Sequence, residues 1–170
     1  MNTHFLRRVQ VIPRPRAEVF EFFEDATNLA RITPPFLGFE ILTPAPIRMA
    51  PGTLIDYRIR LFGAPLRWRT EIELYERGQR FVDRQLRGPY RLWHHTHTFR
   101  DVPGSGGSST EMVDEVKYAI GFGPFGEIAH SLFVERTLAR IFDYRAETIT
   151  SIFGAAPPRK PAAPSRLATA

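Results

Sequence analysis

The segment QLRGPYRLWHHTHTF, residues 85–99, holds the side chains of this chain best suited to chemistry. Period-two alternation along a strand puts Trp93, His95, His97 and Phe99 on one face. Imidazole titrates near neutral pH, so two of them on an otherwise apolar face could move a proton or hold the carbonyl or hydroxyl of a ligand. Buried polar atoms need partners. A face that mixes aromatic carbon with ring nitrogen therefore suits a cavity wall better than a dry core.

Hairpin register supplies those partners. With a three-residue turn at Gly88 to Tyr90, Gln85 stands opposite Trp93 and Asp83 opposite His95. In TEMVDEVKY, the apolar side formed by Met112, Val116 and Tyr118 brings Asp114 inward, beside His97 or, after a two-residue slip, beside His95. A neighbouring carboxylate orients an imidazole whether the pair serves a ligand or only stiffens the sheet, and both readings stay open. His95, His97 and Asp114 are the candidate catalytic residues. Nucleophilic catalysis lacks its signature, since there is no cysteine and no Gly-x-Ser-x-Gly elbow. Two histidines and an aspartate are acceptable zinc ligands, but strand positions two apart lie about 7 Å from each other and no further local ligands follow. No metal and no cofactor is expected.

The elements that must position these groups follow from pattern and punctuation. THFLRRVQVI, residues 3–12, reads as a strand halted by Pro13 and Pro15. Pro15 to Glu18 opens a helix whose apolar face is Val19, Phe20, Phe22 and Phe23, and a second short helix is expected at 27–32, ahead of Pro34 and Pro35. From 36 to 121 the chain reads as strands and turns. Two-residue loops at Gly63-Ala64 and Arg77-Gly78 pair Ile59 with Trp68, Tyr57 with Thr70, Leu74 with Phe81 and Ile72 with Asp83. One inner face then collects Ile55, Tyr57, Ile59, Leu61, Leu66, Trp68, Ile72 and Leu74, while Arg58, Arg60, Arg67 and Arg69 point outward as a solvated convex face.

The last element, 125–153, reads as a helix of roughly 28 residues and about 42 Å, long enough to cross a small sheet. Its buried arc centres on Phe142, takes in Glu135 and has Arg145 at its margin. A charge left unpaired there is costly, so Arg145 is expected to meet an anionic head or an ion-pair partner. Two segments are expected to gate access: GFGPFG at 121–126, which contains Phe122, and the loop at 44–52.

A chain of 170 residues has material for one domain with a real core. That domain is expected at 1–154, and the Pro, Ala and basic residues of 155–170 read as a disordered tail. The net charge of +5 invites nucleic acid, yet Arg159, Lys160 and Arg166 lie in the tail; the body has 20 basic against 18 acidic residues. Nucleic-acid binding is therefore not expected. No run of about 18 apolar residues is present, so no stable membrane insertion and a cytoplasmic location are expected. Phe133 and Tyr144 on the outer helix face would suit a weak homodimer; a monomer is the alternative.

The order of strand, two short helices, six strands and long C-terminal helix resembles the helix-grip fold of the START and Bet v 1-like superfamily, SRPBCC. The resemblance covers about residues 3–153 and is carried by VIPRPRAEVFEFFEDATNLARITPP, GPYRLWHHTHTF, TEMVDEVKY and LARIFDYR. Within the superfamily, the resemblance is to bacterial polyketide cyclase/dehydrase-type ligand-binding proteins. It implies an α+β fold in which a curved antiparallel sheet of about seven strands wraps the long helix, with a small apolar ligand, aromatic or lipid-like, held between them. Trp68, Trp93, Tyr118 and Phe142, with Tyr57 and Tyr90, would supply the apolar wall. Asp83, Gln85, His95, His97 and Asp114, with Glu135 and Arg145, would meet the polar end. The rival readings are a cyclase, aromatase or dehydratase in which His95 or His97 moves a proton, and a non-catalytic module that presents its surface to a protein.

Overall fold

The computed structural model describes residues 2–61, 63–121 and 133–156. Among them, seven strands form one antiparallel sheet: β1 (His4–Ile12), β2 (Glu40–Ile41), β3 (Leu54–Leu61), β4 (Ala64–Glu76), β5 (Arg80–Arg87), β6 (Leu92–Asp101) and β7 (Thr110–Ala119). The order is β1-β7-β6-β5-β4-β3-β2, a meander that the first strand completes by pairing with the last, from His4 opposite Tyr118 to Ile12 opposite Thr110. Helix α1 (Arg16–Glu24) follows β1, and the long helix α2 (Glu135–Phe153) ends the described chain, so the α+β helix-grip architecture stands.

Local chemistry explains the punctuation. Pro15 caps α1 and accepts from the Val19 N–H at 3.1 Å. Asp25 ends α1 and caps the next turn by accepting from the Thr27 N–H (2.9 Å) and hydroxyl (2.6 Å). The second short helix is a 3-10 turn at Ala26–Ala30, and another 3-10 turn occupies Pro35–Leu37, where strands and turns alone are expected from 36 onward. Both are short, as 3-10 segments are, because their hydrogen-bond geometry is poorer than that of an α-helix.

The hairpins correct the expected register, keeping its parity between β3 and β4 and reversing it partway along β4 and β5. Leu61 pairs with Ala64, so Tyr57 faces Trp68 and Ile55 faces Thr70. Ile72 opposes Asp83 as expected, but an irregularity between Ile72 and Leu74 sets Leu74 against Val82 and Tyr75 against Phe81. One extra residue reverses the alternation beyond it. Tyr75 thus takes the inner place expected of Leu74, packing beside Phe20 and bonding through its hydroxyl to Glu24. The outward arginines are largely spent on neighbours: Arg69 grips Asp56 with two 2.8 Å bonds, Arg58 pairs with Glu40, and Arg84 with Glu71 at 2.7 Å.

Helix α2 buries Leu138, Phe142, Arg145, Ile149 and Phe153, spaced by three or four residues. Its described length is 19 residues, roughly 28 Å; the expected start at 125 lies outside the described residues. It is tied to β1 by Gln10, whose amide donates to Ala146 O (3.0 Å) and Thr150 Oγ1 (3.1 Å). Gly154 closes the helix at φ +94°, donating to Thr150 O at 2.8 Å. Two apolar clusters hold helix to sheet, one around Phe20, Phe23, Phe81, Phe99 and Ile149, the other around Val116, Tyr118, Leu138 and Phe142. Between them the sheet's inner face is polar.

Candidate functional site

That polar patch is built by three adjacent strands. His95 and His97 follow each other on the inner side of β6; register sets Asp83 of β5 opposite His95, and Asp114 of β7 opposite His97. Asp114 reaches both rings, with Oδ1 at 2.8 Å from His95 Nε2 and 2.9 Å from His97 Nδ1. The first contact is a hydrogen bond; the second is off-line, and His97 Nδ1 has no well-aligned partner among the described residues. Asp83 Oδ2 faces the other side of the rings, 3.0 Å from His97 Nε2 and 3.6 Å from His95 Nδ1. The two imidazole centroids are 3.8 Å apart.

From α2, Arg145 completes the cluster. Its guanidinium carbon stands 4.9 Å from the centre of the Phe142 ring, and NH1 is 3.6 Å from Asp114 Oδ1. The expectation that Arg145 sits at the margin of the arc is corrected: it is 9% exposed, against 4% for His95 and 6% for His97 and Asp114. Its Nε and NH1 lack a hydrogen-bond acceptor among the described residues. Glu135 is corrected in the opposite sense. It is exposed.

Burial and proximity push the titrations apart. Burial and the neighbouring His97 hold His95 below the usual imidazole value. Burial also opposes charge on His97, but its contacts with Asp114 and Asp83 outweigh that and raise it. Despite burial, the close contacts with both imidazoles keep Asp114 well below the carboxylate range, and the hydrogen bond with His97, with His95 nearby, lowers Asp83. Burial thus disfavours the charged form of His95 while the two carboxylates favour that of His97, so the rings differ in how readily they take a proton.

Two cavities adjoin the cluster. One of about 140 Å³ is lined by Asp83, His95, His97 and Arg145, with Ile55 and Ile72 among its apolar walls. The other, about 120 Å³, is lined by Trp68, Tyr90, Phe142 and Ile141 among others. Leu29, Tyr57, Trp93 and Arg145 border both. Asp114 lies behind the imidazoles, on a void of about 60 Å³ facing β1 and α2. The aromatic wall is continuous: Tyr57 stacks on Trp68 at 5.7 Å and 18°, and Trp93 meets Trp68 edge-on at 5.5 Å. Thr70 anchors it, accepting from Trp68 Nε1 at 3.0 Å and lying 3.3 Å from the Tyr57 hydroxyl.

Two expected site residues have other places. Gln85 spends its amide on Tyr90, donating to its carbonyl (2.5 Å) and accepting from its N–H (3.2 Å), and it borders neither cavity. Tyr118 is buried against Trp93 and borders neither cavity. Phe122 lies outside the described residues, as does all of the expected 121–126 gate beyond Gly121. Residues not foreseen as lining come from the segment after β1 and from the loop ahead of β3: Phe22, Phe23, Leu29 and Met49. Met49 and Asp25 border both the larger inner cavity and an open groove lined by Ala45 to Arg48, within the 44–52 loop.

A family profile described as polyketide cyclase/dehydrase and lipid transport matches residues 12–142. The chain belongs to this family. Among solved structures, the polyketide cyclase/dehydrase fold seen here is similar to a START superfamily protein from Mycobacterium smegmatis (10% identity, 88% of this chain and 99% of that one, TM-score 0.64). It is also similar to the Zhui aromatase/cyclase from Streptomyces sp. R1128 (15% identity, 89% and 96%, TM-score 0.61) and to Ara h 8.0201 (16% identity, 88% and 99%, TM-score 0.60). At such identities the likeness is one of fold. No curated protein sequence matches this member of the polyketide cyclase/dehydrase family. Among its described residues no helix is long and apolar enough to cross a membrane.

Proposed function

We propose that this protein encloses a small, planar, mostly apolar molecule carrying one oxygen function, between the inner sheet face and α2. Support comes from the two cavities that share Tyr57, Trp93 and Arg145, with aromatic walls on one side and Asp83, His95 and His97 on the other. The two voids together, about 260 Å³, approach the roughly 300 Å³ at which ligand pockets begin, and each alone is less than half of that, so an occupant larger than a single ring spans both. Arg145, buried with unmet N–H groups, favours an acidic or carbonyl oxygen over a hydroxyl. The test is a titration with naphthol and naphthoate, followed by tryptophan fluorescence. Saturable one-to-one binding is expected, naphthoate the tighter, with Arg145→Met removing that preference and Ile72→Trp abolishing binding by filling the larger void. Unsaturable binding, or binding that Ile72→Trp leaves intact, overturns the reading.

A second reading, acid–base catalysis of a cyclisation or dehydration, is favoured by the opposed shifts of His95 and His97. Its mark is turnover of a bound β-hydroxyketone that vanishes in His97→Gln while naphthoate affinity stays within a few-fold. The interaction-module alternative gains support if no small molecule binds at all.

A further inference from the structure

The contacts between the imidazoles and the two aspartates converge on one small buried space. His95 and His97 each stand between the same two oxygens, Asp83 Oδ2 and Asp114 Oδ1, at separations from 2.8 to 3.6 Å. Only two of the four are hydrogen bonds, His95 Nε2 with Asp114 Oδ1 and His97 Nε2 with Asp83 Oδ2; the His95 Nδ1 contact with Asp83 is long and the His97 Nδ1 contact with Asp114 is off-line. A metal ion on the Asp83 side gives each ring a use for both of its nitrogens. Each ring is then neutral, keeps one N–H for Asp114 and turns a lone pair the other way.

Distances fit. Ligand atoms about 2.0–2.1 Å from a tetrahedral ion lie about 3.3 Å from one another; here Asp83 Oδ2 is 3.0 Å from His97 Nε2 and 3.6 Å from His95 Nδ1. One ligand atom from each of Asp83, His95 and His97 falls within a 4.8 Å span. Asp114 stands where the outer partner of metal-bound histidines belongs, bonding His95 Nε2 and approaching His97 Nδ1, with Arg145 behind it. All three ligands border the larger cavity, which leaves room for a fourth. The strand spacing that argues against a metal in the sequence concerns backbone positions; the rings lean together, and the third ligand comes from the next strand.

We propose that His95 Nδ1, His97 Nε2 and Asp83 Oδ2 form a site for a divalent transition-metal ion of the zinc type, its remaining coordination position open to the cavity. Nitrogen and carboxylate donors without thiolate suit zinc or cobalt over soft monovalent ions. The site is independent of the apolar-ligand reading: naphthoate binding to chelator-treated protein survives if only the metal is wrong.

The experiment titrates Zn²⁺, and Co²⁺ as a spectroscopic substitute, into tag-free, chelator-treated full-length protein, using calorimetry and visible absorption. One equivalent is expected, with Co²⁺ bands of a four-coordinate nitrogen and oxygen site and a rise in melting temperature reversed by chelator. Asp83→Asn should weaken affinity about 100-fold, and Asp114→Asn about 10–100-fold as an outer partner. His94→Gln should change nothing, because His94 lies on the opposite face, paired with Glu73 at 3.3 Å. No stoichiometric binding to the wild-type chain overturns the proposal. So does binding lost in His94→Gln but kept in folded Asp83→Asn.

Discussion

Asp114 holds His95 through a 2.8 Å hydrogen bond across the β6–β7 ladder, with both side chains almost wholly out of solvent. Removing the charge of Asp114 leaves the imidazole cluster and Arg145 without their shared partner. Asp114→Asn should therefore cost about 3 kcal/mol near neutral pH, measured by urea denaturation. Asp114 titrates well below its unfolded value near 4, so its contribution is present above that value and lost as pH falls through the folded one. The gap between wild type and Asp114→Asn should narrow below about pH 4; a gap constant from pH 7 to 3 would mean that shape, and not charge, carries the effect.

Thr70 serves two aromatic rings with one hydroxyl, accepting from Trp68 Nε1 and lying beside the Tyr57 hydroxyl. Thr70→Val keeps the volume and strands both groups, which should cost about 1–3 kcal/mol. Thermal melts would measure the loss, and the tryptophan emission should shift as Trp68 loses its bond. Unchanged stability would show that another acceptor serves the indole.

The turn between β5 and β6 depends on the absence of a side chain at Gly88, where a Cβ would come within 2.3 Å of Gln85 Oε1. Gly88→Ala should expel the Gln85 amide from its two bonds to Tyr90 and destabilise by about 1–2 kcal/mol. In a Gln85→Ala background most of that cost should disappear, because there is nothing left to displace. An additive double-mutant cycle would contradict this.

Burial, with the bond to Glu24, pushes the Tyr75 hydroxyl up to about 12. A raised value on an acid means that its contribution to stability is whole below the unfolded value near 10 and is lost as pH climbs through the folded one. Absorbance titration of wild type against Tyr75→Phe should assign one tyrosine ionising near pH 12. If the difference curve rises near pH 10, the Glu24 contact does not persist in solution.

How far the sequence announces all this varies with the physics involved. Parity is robust: Asp83 opposite His95 and Asp114 opposite His97 follow from alternation and short hairpins, because a register error of two residues returns every side chain to the same face. A bulge is not legible in that way. Nothing in ELYE announces that the alternation reverses at Glu73 and trades Leu74 for Tyr75. Helix periodicity placed Phe142 correctly but misjudged Glu135 and Arg145, since angle around the axis says nothing about which turn the sheet covers. The cavity walls from Phe22, Leu29 and Met49 arise where loops close over the sheet, a tertiary event without local pattern. The metal geometry depends on side-chain torsions on neighbouring strands, which residue spacing cannot carry.

The most direct measurement is nitrogen-15 NMR of the imidazoles and indoles during a naphthoate titration of chelator-treated protein. His95, His97 and Trp93 border the larger cavity, whereas His94 sits on the opposite face of the same strand. The resonances of the first three should move together and saturate at one equivalent while His94 stays still. Movement of His94 with His95 and His97 unmoved, or no movement of any of them, would contradict an enclosed site between sheet and helix.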